Sequence, residues 1–200
     1  MATLMDTRLA LRSLPVTFSY TQAQEVGLAG RPLARALEEG AVEQLSRGLY
    51  RQRGVEDGVD LDLVEIAHRA PSATLCLTSA LAHWELTDAI PALIEVALPR
   101  EVRQPQVATP VRWHAFDRAT FTIGRGQLVV DTETNIGLYS AERSIVDAFR
   151  LSWHQGEQLG IEALKQWLNQ PGHHPAALME IAAALPRTKP RLEQVLRILQ

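Results

Sequence analysis

Along the first fifty residues the apolar positions recur at helical spacing and then switch to strand-like runs. Leu4, Leu9, Leu11 and Leu14 fall at roughly helical intervals over Ala2 to Leu14, and Pro15 stops that helix. From Phe18 to Gly27, Ser19 or Thr21 can cap a helix of about two turns. Ala23 and Val26 form its apolar side, and Gly27 can end it. After the turn Leu28-Ala29-Gly30, Pro32 stands where a first-turn residue tolerates a missing N–H, and Gly40 where a left-handed C-terminal residue fits. The spacing predicts a second helix, Pro32 to Glu39. At 100° per residue Leu33, Ala36 and Leu37 share one side, leaving Ala34, Arg35 and Glu38 outward. Strand-like Val42 to Leu45 and Leu49 to Gln52 follow, joined by Ser46-Arg47-Gly48, with Arg47 at the tip. Helix, helix, turn, helix and hairpin in this order is the layout of a winged helix-turn-helix. In that motif the second helix of the pair enters the DNA major groove and the hairpin touches flanking backbone.

Gly54 to Asp60, with two glycines and three acids, reads as a linker, after which Asp60 caps a helix from Leu61 to Arg69. Beyond Pro71 the pattern becomes mixed. Strands are predicted at Ala73 to Leu77, Leu93 to Leu98 and Val111 to Phe116, with a helix from Thr78 to Glu85. Thr120 to Ile123 and Gln127 to Val130 flank Gly124-Arg125-Gly126 and read as a hairpin. Helices are predicted at Ala141 to Leu151, Ile161 to Asn169, Pro175 to Leu185 and Arg191 to Leu199, with breakers at Pro171-Gly172 and Pro186 to Pro190. The expected fold class is therefore α+β. An N-terminal winged helix-turn-helix (1–54) leads through a linker and connecting helix (55–70) to a mixed α/β domain with a helical C-terminal part (71–200).

Composition narrows the class. A chain of 200 residues with 46% hydrophobic and 22% charged residues is long enough to bury a core and unlike a disordered chain. No apolar run approaches the roughly 20 residues that cross a bilayer. Asp6, Arg8 and Arg12 stand where a signal peptide would carry its apolar stretch. The expected compartment is the cytoplasm. The single cysteine, Cys76, forms no internal disulfide and reads as a small buried residue. The net charge of −3 hides an asymmetry: residues 1–54 hold seven arginines against five acids, so the acidic excess lies in the remainder. That placement permits nucleic-acid binding by the N-terminal segment.

Three stretches resemble the AbiEi antitoxins of type IV toxin–antitoxin systems. They are Leu45-Ser46-Arg47-Gly48-Leu49-Tyr50-Arg51, the run from Leu77 to Asp88 containing Ala82-His83-Trp84-Glu85-Leu86, and Ser140-Ala141-Glu142-Arg143-Ser144-Ile145-Val146-Asp147-Ala148. The resemblance covers most of the chain. It implies an N-terminal winged helix that binds inverted repeats in the protein's own promoter. It also implies a second domain needed for repression and for neutralising a nucleotidyltransferase-like toxin, although some relatives act as solitary regulators. The implied function is a sequence-specific transcriptional repressor, autoregulating its operon, with no catalysis.

The candidate DNA contacts follow from the winged-helix layout. Arg35, outward on the second helix, can meet a guanine edge bidentately or a phosphate, or can pair with Glu38 or Glu39 as an ordinary surface arginine. Arg47, Arg51 and Arg53 would meet phosphates or the minor groove from the hairpin, although exposed hairpins also carry polar residues for solubility. Arg31, Thr21 and Gln22 stand at helix beginnings, where backbone N–H groups and the helix dipole favour phosphate. Capping alone would account for Thr21. So small a module reads few base pairs, so cooperative or dimeric assembly on repeated half-sites of double-stranded DNA is expected.

Other constellations have plainer readings. Arg143 and Asp147, four apart on a helix, should form a salt bridge rather than catalytic machinery. The six histidines include no pair at helical metal-ligand spacing, and no metal or cofactor is expected. Gly124-Arg125-Gly126 is too short for a phosphate loop. Ser79, His83 and Asp147 can be written as a hydrolytic triad, but no Gly-x-Ser-x-Gly elbow accompanies them and the serine reads as a cap. Trp84, Trp113, Trp153 and Trp167 read as core, or, where exposed, as anchors for a partner protein. The acidic C-terminal part would complement a basic toxin. No membrane partner is expected.

Overall fold

The computed structural model describes residues 4–55, 58–151, 157–172, 174–185 and 188–199. Ala2 and Thr3 of the first expected helix, Glu56 and Asp57 of the linker, Trp153, His154, His173 and Pro186 lie outside the described residues. The chain is a mixed α+β protein that divides into two compact units. The first comprises the described residues through Arg69 together with Gln106–Thr109 and Val129–Asn135. The second comprises Ala70–Pro105, Pro110–Leu128 and the described residues from Ile136 onward.

In the first unit, α1 (Leu4–Arg12) is followed by β1 (Thr17–Ser19), α2 (Tyr20–Glu25), α3 (Arg31–Glu38), β2 (Val42–Ser46), β3 (Leu49–Gln52) and α4 (Leu61–Arg69). β1 was not among the expected elements. Its three residues are too few to show an alternation, and pairing with β3 makes it a strand: Thr17 stands opposite Arg51, Phe18 opposite Tyr50 and Ser19 opposite Leu49. The result is an antiparallel sheet in the order β1-β3-β2. Gly48, at φ +75°, occupies the left-handed region in the β2–β3 turn that side chains rarely adopt. A register shift between Gln44 and Ser46 bulges β2 just before that turn.

The core of this unit gathers Leu11 from α1 and Leu14 just after it, Ala23, Leu28, Leu33 and Ala36 from the helix pair and its turn, and Phe18, Val42 and Tyr50 from the sheet. Phe18 and Tyr50 stack with ring centres 5.9 Å apart. Leu33 and Ala36 are buried while Ala34, Arg35 and Glu38 are exposed, as the 100° spacing requires. The chain end of α1 would leave carbonyls unpaired. The Gln52 side-chain amide donates to the carbonyls of Leu11, Leu14 and Pro15 at 2.9, 3.2 and 3.1 Å. The Asp60 carboxylate caps α4 by accepting from the N–H groups of Asp62 and Leu63, both at 3.1 Å.

The second unit is built on a sheet ordered β6-β5-β4-β8-β7. Its strands are β4 (Thr74–Leu75), β5 (Ile94–Pro99), β6 (Val111–Phe116), β7 (Arg125–Val129) and β8 (Asn135–Tyr139). β4 is antiparallel to β5 and parallel to β8, and β5 is parallel to β6. Helix α5 (Leu77–His83) follows β4, and α7 (Ala141–Arg150), α8 (Glu157–Asn169), α9 (Pro175–Ala184) and α10 (Lys189–Leu199) complete the chain. Leu81 and Leu86 join Ile145, Phe149, Leu164, Trp167, Leu178 and Leu192 in one apolar cluster.

Two expectations are corrected here. Residues 118–121 form a short helix, α6 (Arg118–Phe121), rather than a strand, because the Asp117 carboxylate accepts from Ala119 N–H at 2.9 Å and Phe121 is buried against Tyr139. Gly124-Arg125-Gly126 is consequently not a hairpin turn: Arg125 and Gly126 begin β7, which lies beside β8, a strand absent from the expected set. Gly137 in β8 accommodates a close approach. A Cβ there would run into the Thr74 hydroxyl and stand 2.8 Å from the Ala73 carbonyl oxygen.

Candidate nucleic-acid interface

Helices α2 and α3 are joined by the turn through Gly27 and Gly30, and the β2–β3 turn is tied to the start of α2 by Tyr20 N–H donating to the Gly48 carbonyl at 2.9 Å. The exposed side chains of Tyr20 and Thr21 therefore stand beside the hairpin turn that carries the exposed Arg47. Among the described residues the Arg47 and Arg31 side chains have no hydrogen-bond or ion-pair partner. The turn itself is held from behind. The Arg69 guanidinium donates to the Arg47 carbonyl and, at 3.1 Å, to the Ser46 hydroxyl, which fixes the backbone while leaving the Arg47 side chain outward.

The helix beginnings differ in what they offer. Ser19 caps α2 in a reciprocal box: its hydroxyl accepts from Gln22 N–H at 3.2 Å, and the Gln22 side-chain carbonyl accepts from Ser19 N–H at 2.7 Å. Thr21 is therefore exposed but is not the cap, and Gln22 has its carbonyl committed to the box. α3 begins after Gly30 with no side-chain cap, and because Pro32 carries no N–H its first turn leaves the N–H groups of Arg31 and Leu33 without a cap at the positive end of the helix dipole.

Arg35 is half exposed and donates through Nε to Glu39 at 2.6 Å, an i,i+4 pair on the solvent face. Arg53 is exposed and reaches Glu43 at 3.3 Å. Both pairs are accessible to water and therefore weak enough to be exchanged for phosphate.

Arg51 is a correction. It was expected at the surface of the wing, yet it is only 2% exposed. Its guanidinium donates to the Asp131 carboxylate at 2.5 Å and to the Thr17 hydroxyl at 2.9 Å. Arg51 stands on the central strand β3, opposite Thr17 of β1 and Glu43 of β2, and its buried guanidinium is taken up by Asp131, so it is not open to nucleic acid. Burial by itself would push the Asp131 carboxyl up, but the hydrogen bonds from Arg51, Glu133 and Thr134 outweigh it and hold the pKa below the usual carboxylate range.

Sequence reasoning missed Arg69, Glu65 and Asp131, which brace this surface. Glu65 of α4 is buried, and its carboxylate accepts from the N–H groups of Ala108 and Thr109 and from the Thr109 hydroxyl at 2.8 Å. Burial opposes its charge, yet these donors and Ser46 together lower its pKa. The partners of Glu65 and Asp131 lie far along the chain, so no local spacing announces them. Arg69 gave one local signal, a basic residue in the last turn of a helix.

The remaining candidates are structural. Arg143 and Asp147 form a wholly buried pair at 2.8 Å, and Arg143 also donates to the carbonyls of Thr120 and Ile123 at 2.8 and 2.7 Å. The Ser79 hydroxyl accepts from Glu95 N–H at 2.8 Å; among the described residues Ser79, His83 and Asp147 make no hydrogen bond to one another. Trp84 donates through its indole to the Tyr139 carbonyl at 2.8 Å, and Trp167 is fully buried. Cys76 is buried, which pushes its thiol pKa well up. Among the described residues no group of three or more His, Cys, Asp or Glu side chains is gathered to hold a metal ion, and no helix is long and apolar enough to cross a membrane.

A helix pair beside a hairpin with an outward arginine defines a surface of the kind that transcriptional regulators use. Residues 7–51, which span that helix pair and hairpin, match the family model described as transcriptional regulator, AbiEi antitoxin. The match supports the resemblance to the AbiEi family read from the sequence. No curated protein matches the chain.

Proposed function

We propose that this protein is a sequence-specific, DNA-binding transcriptional repressor that acts in the cytoplasm on its own promoter. Its first unit serves as a winged helix-turn-helix, with α2 and α3 as the helix pair and the β2–β3 hairpin as the wing. One observation carries the reading: Arg47 projects from a turn whose backbone is fixed by Arg69 and by Tyr20, beside a helix pair matching a regulator family. A side chain on a pinned turn loses little freedom when it meets a phosphate.

In this reading Arg35 reads a base edge in the major groove, having exchanged Glu39 for it. Arg31, with the positive end of the α3 dipole, holds a phosphate, and Thr21 holds another at α2. Arg47 and Arg53 clamp the flanking backbone. Gln22 contributes only its amide NH₂, and Arg51 supports the wing from inside. The contact surface is small, so specificity comes from two copies on repeated half-sites. The word antitoxin in the family description favours a second role, in which the second unit binds a nucleotidyltransferase-like toxin. Co-purification with such a toxin tests that role separately.

The first role is tested by fluorescence anisotropy of the full chain on the DNA upstream of its own gene, against a shuffled duplex. Preference for the upstream duplex, with sigmoidal binding, is expected. Equal affinity for both duplexes at every salt concentration overturns the reading.

A further inference from the structure

The second unit carries a cluster of cations that the DNA reading does not use. β6 is an edge strand, and a cavity of about 380 Å³ lies along it, lined by Arg100, Arg112, Trp113, His114, Asp117 and Arg150 among others. That volume falls near the lower end of the about 300–1,000 Å³ typical of small-molecule pockets, the size for a small metabolite rather than a dinucleotide.

The arrangement follows from strand alternation. Arg112 and His114 stand two apart on β6 and so share a face. Arg100 follows the end of β5 and is pinned there by its N–H donating to the Phe116 carbonyl at 2.8 Å. Arg150, in the last turn of α7, lies over the Phe116 ring with its guanidinium carbon 5.1 Å from the ring centre. Three elements thus bring Arg100, Arg112 and Arg150 to the lining of one cavity.

The opposing charges leave a surplus. The buried Glu95 lies behind Arg112 at 3.4 Å and 3.6 Å from His114 Nε2. Asp147 holds Arg150 at 2.9 Å but is shared with Arg143. Asp117 caps α6 and keeps its negative charge at the cavity. Arg100 is exposed, and among the described residues its side chain has no partner. With Arg143 included, four guanidinium groups stand against these three carboxylates, which orient Arg112 and Arg150 and leave Arg100 as the surplus cation. Guanidinium forks matched to tetrahedral or planar oxygens favour phosphate and carboxylate.

We propose that this cavity is a binding site for a small phosphate monoester, with Arg100 and Arg112 as its principal contacts and Arg150 as a third, held in place by Asp147. Trp113 at the wall offers an apolar surface to the organic part. The proposal is independent of DNA binding and gives the second unit a ligand of its own.

The test uses the full chain, with amide NMR and calorimetric titration against inorganic phosphate, glucose 6-phosphate and adenosine 5′-monophosphate at matched ionic strength. Shifts confined to Arg100 and the segment 112–117, saturating at millimolar or lower concentration, are expected with at least one probe. Saturation by inorganic phosphate alone assigns the ligand as the free ion, and preference for an ester assigns a phosphorylated metabolite. Arg100→Ala and Arg112→Ala should each weaken binding at least about tenfold. Arg103→Ala, exposed but outside the cavity, should leave it unchanged. The absence of saturable shifts with all three probes overturns the proposal, as does equal weakening by Arg103→Ala, which would indicate only diffuse attraction. Shifts at these residues with duplex DNA but with no small phosphate also overturn it.

Discussion

Arg51 and Asp131 meet at 2.5 Å with both side chains buried, so a residue expected on the wing surface instead joins the central strand of the first sheet to a loop 80 residues further along. Two charges taken from water are not a large net gain over apolar residues, but removing one leaves the other uncompensated. Arg51→Ala should therefore lower the unfolding free energy by about 3–5 kcal/mol. The double substitution Arg51→Met with Asp131→Leu should recover most of that loss. Urea denaturation of the three proteins checks this.

The same carboxylate, together with Glu65, sets the acid limit of the first unit. Both have pKa values below their ordinary 3.8 and 4.5. A carboxyl whose folded pKa is depressed adds stability that is present above its unfolded pKa and lost as pH falls through the folded one. Melting temperature should hold above about pH 5 and drop on further acidification. Glu65→Gln should lower the plateau and flatten the drop. A series of thermal melts from neutral to acid pH reads both.

Gly137 sits against Thr74 and the Ala73 carbonyl with no room for a side chain. Gly137→Ala must push β4 and β8 apart, at a cost of about 1–3 kcal/mol. DNA affinity per folded molecule should not change. Comparing the urea midpoint with the active fraction on DNA separates these effects.

Arg35 and Arg47 should fail differently. Arg35→Ala, half exposed and paired only with Glu39 among the described residues, should leave stability within about 0.5 kcal/mol. It should cost about 1–3 kcal/mol of discrimination between the correct and an altered half-site. Competition binding with single-base variants of the half-site shows whether preference collapses at one position.

How much of this was legible depended on whether the cause was local. The outward face of α3 and the capping of α4 by Asp60 follow from periodicity and from the donors a helix start leaves open, and both are found. The buried Arg143–Asp147 pair follows from an i,i+4 spacing. Thr120-Phe121-Thr122-Ile123 misled because β-branched and aromatic residues suit strands, whereas the Asp117 cap and the burial of Phe121 decide for a helical turn. Arg51 looked like its neighbours Arg47 and Arg53. Its place on a central strand beside a three-residue β1, together with Asp131 from 80 residues further along, puts it inside, and neither leaves a local pattern to read.

DNA binding as proposed sets Arg47 on a phosphate from a pinned turn. Its most direct test is the salt dependence of binding to the upstream duplex for the wild type and Arg47→Ala. Both proteins should keep their sequence preference, and the variant's slope of log affinity against log salt should be shallower by about 0.9, one phosphate contact. Identical slopes and affinities would contradict it, because the wing would then not touch the DNA.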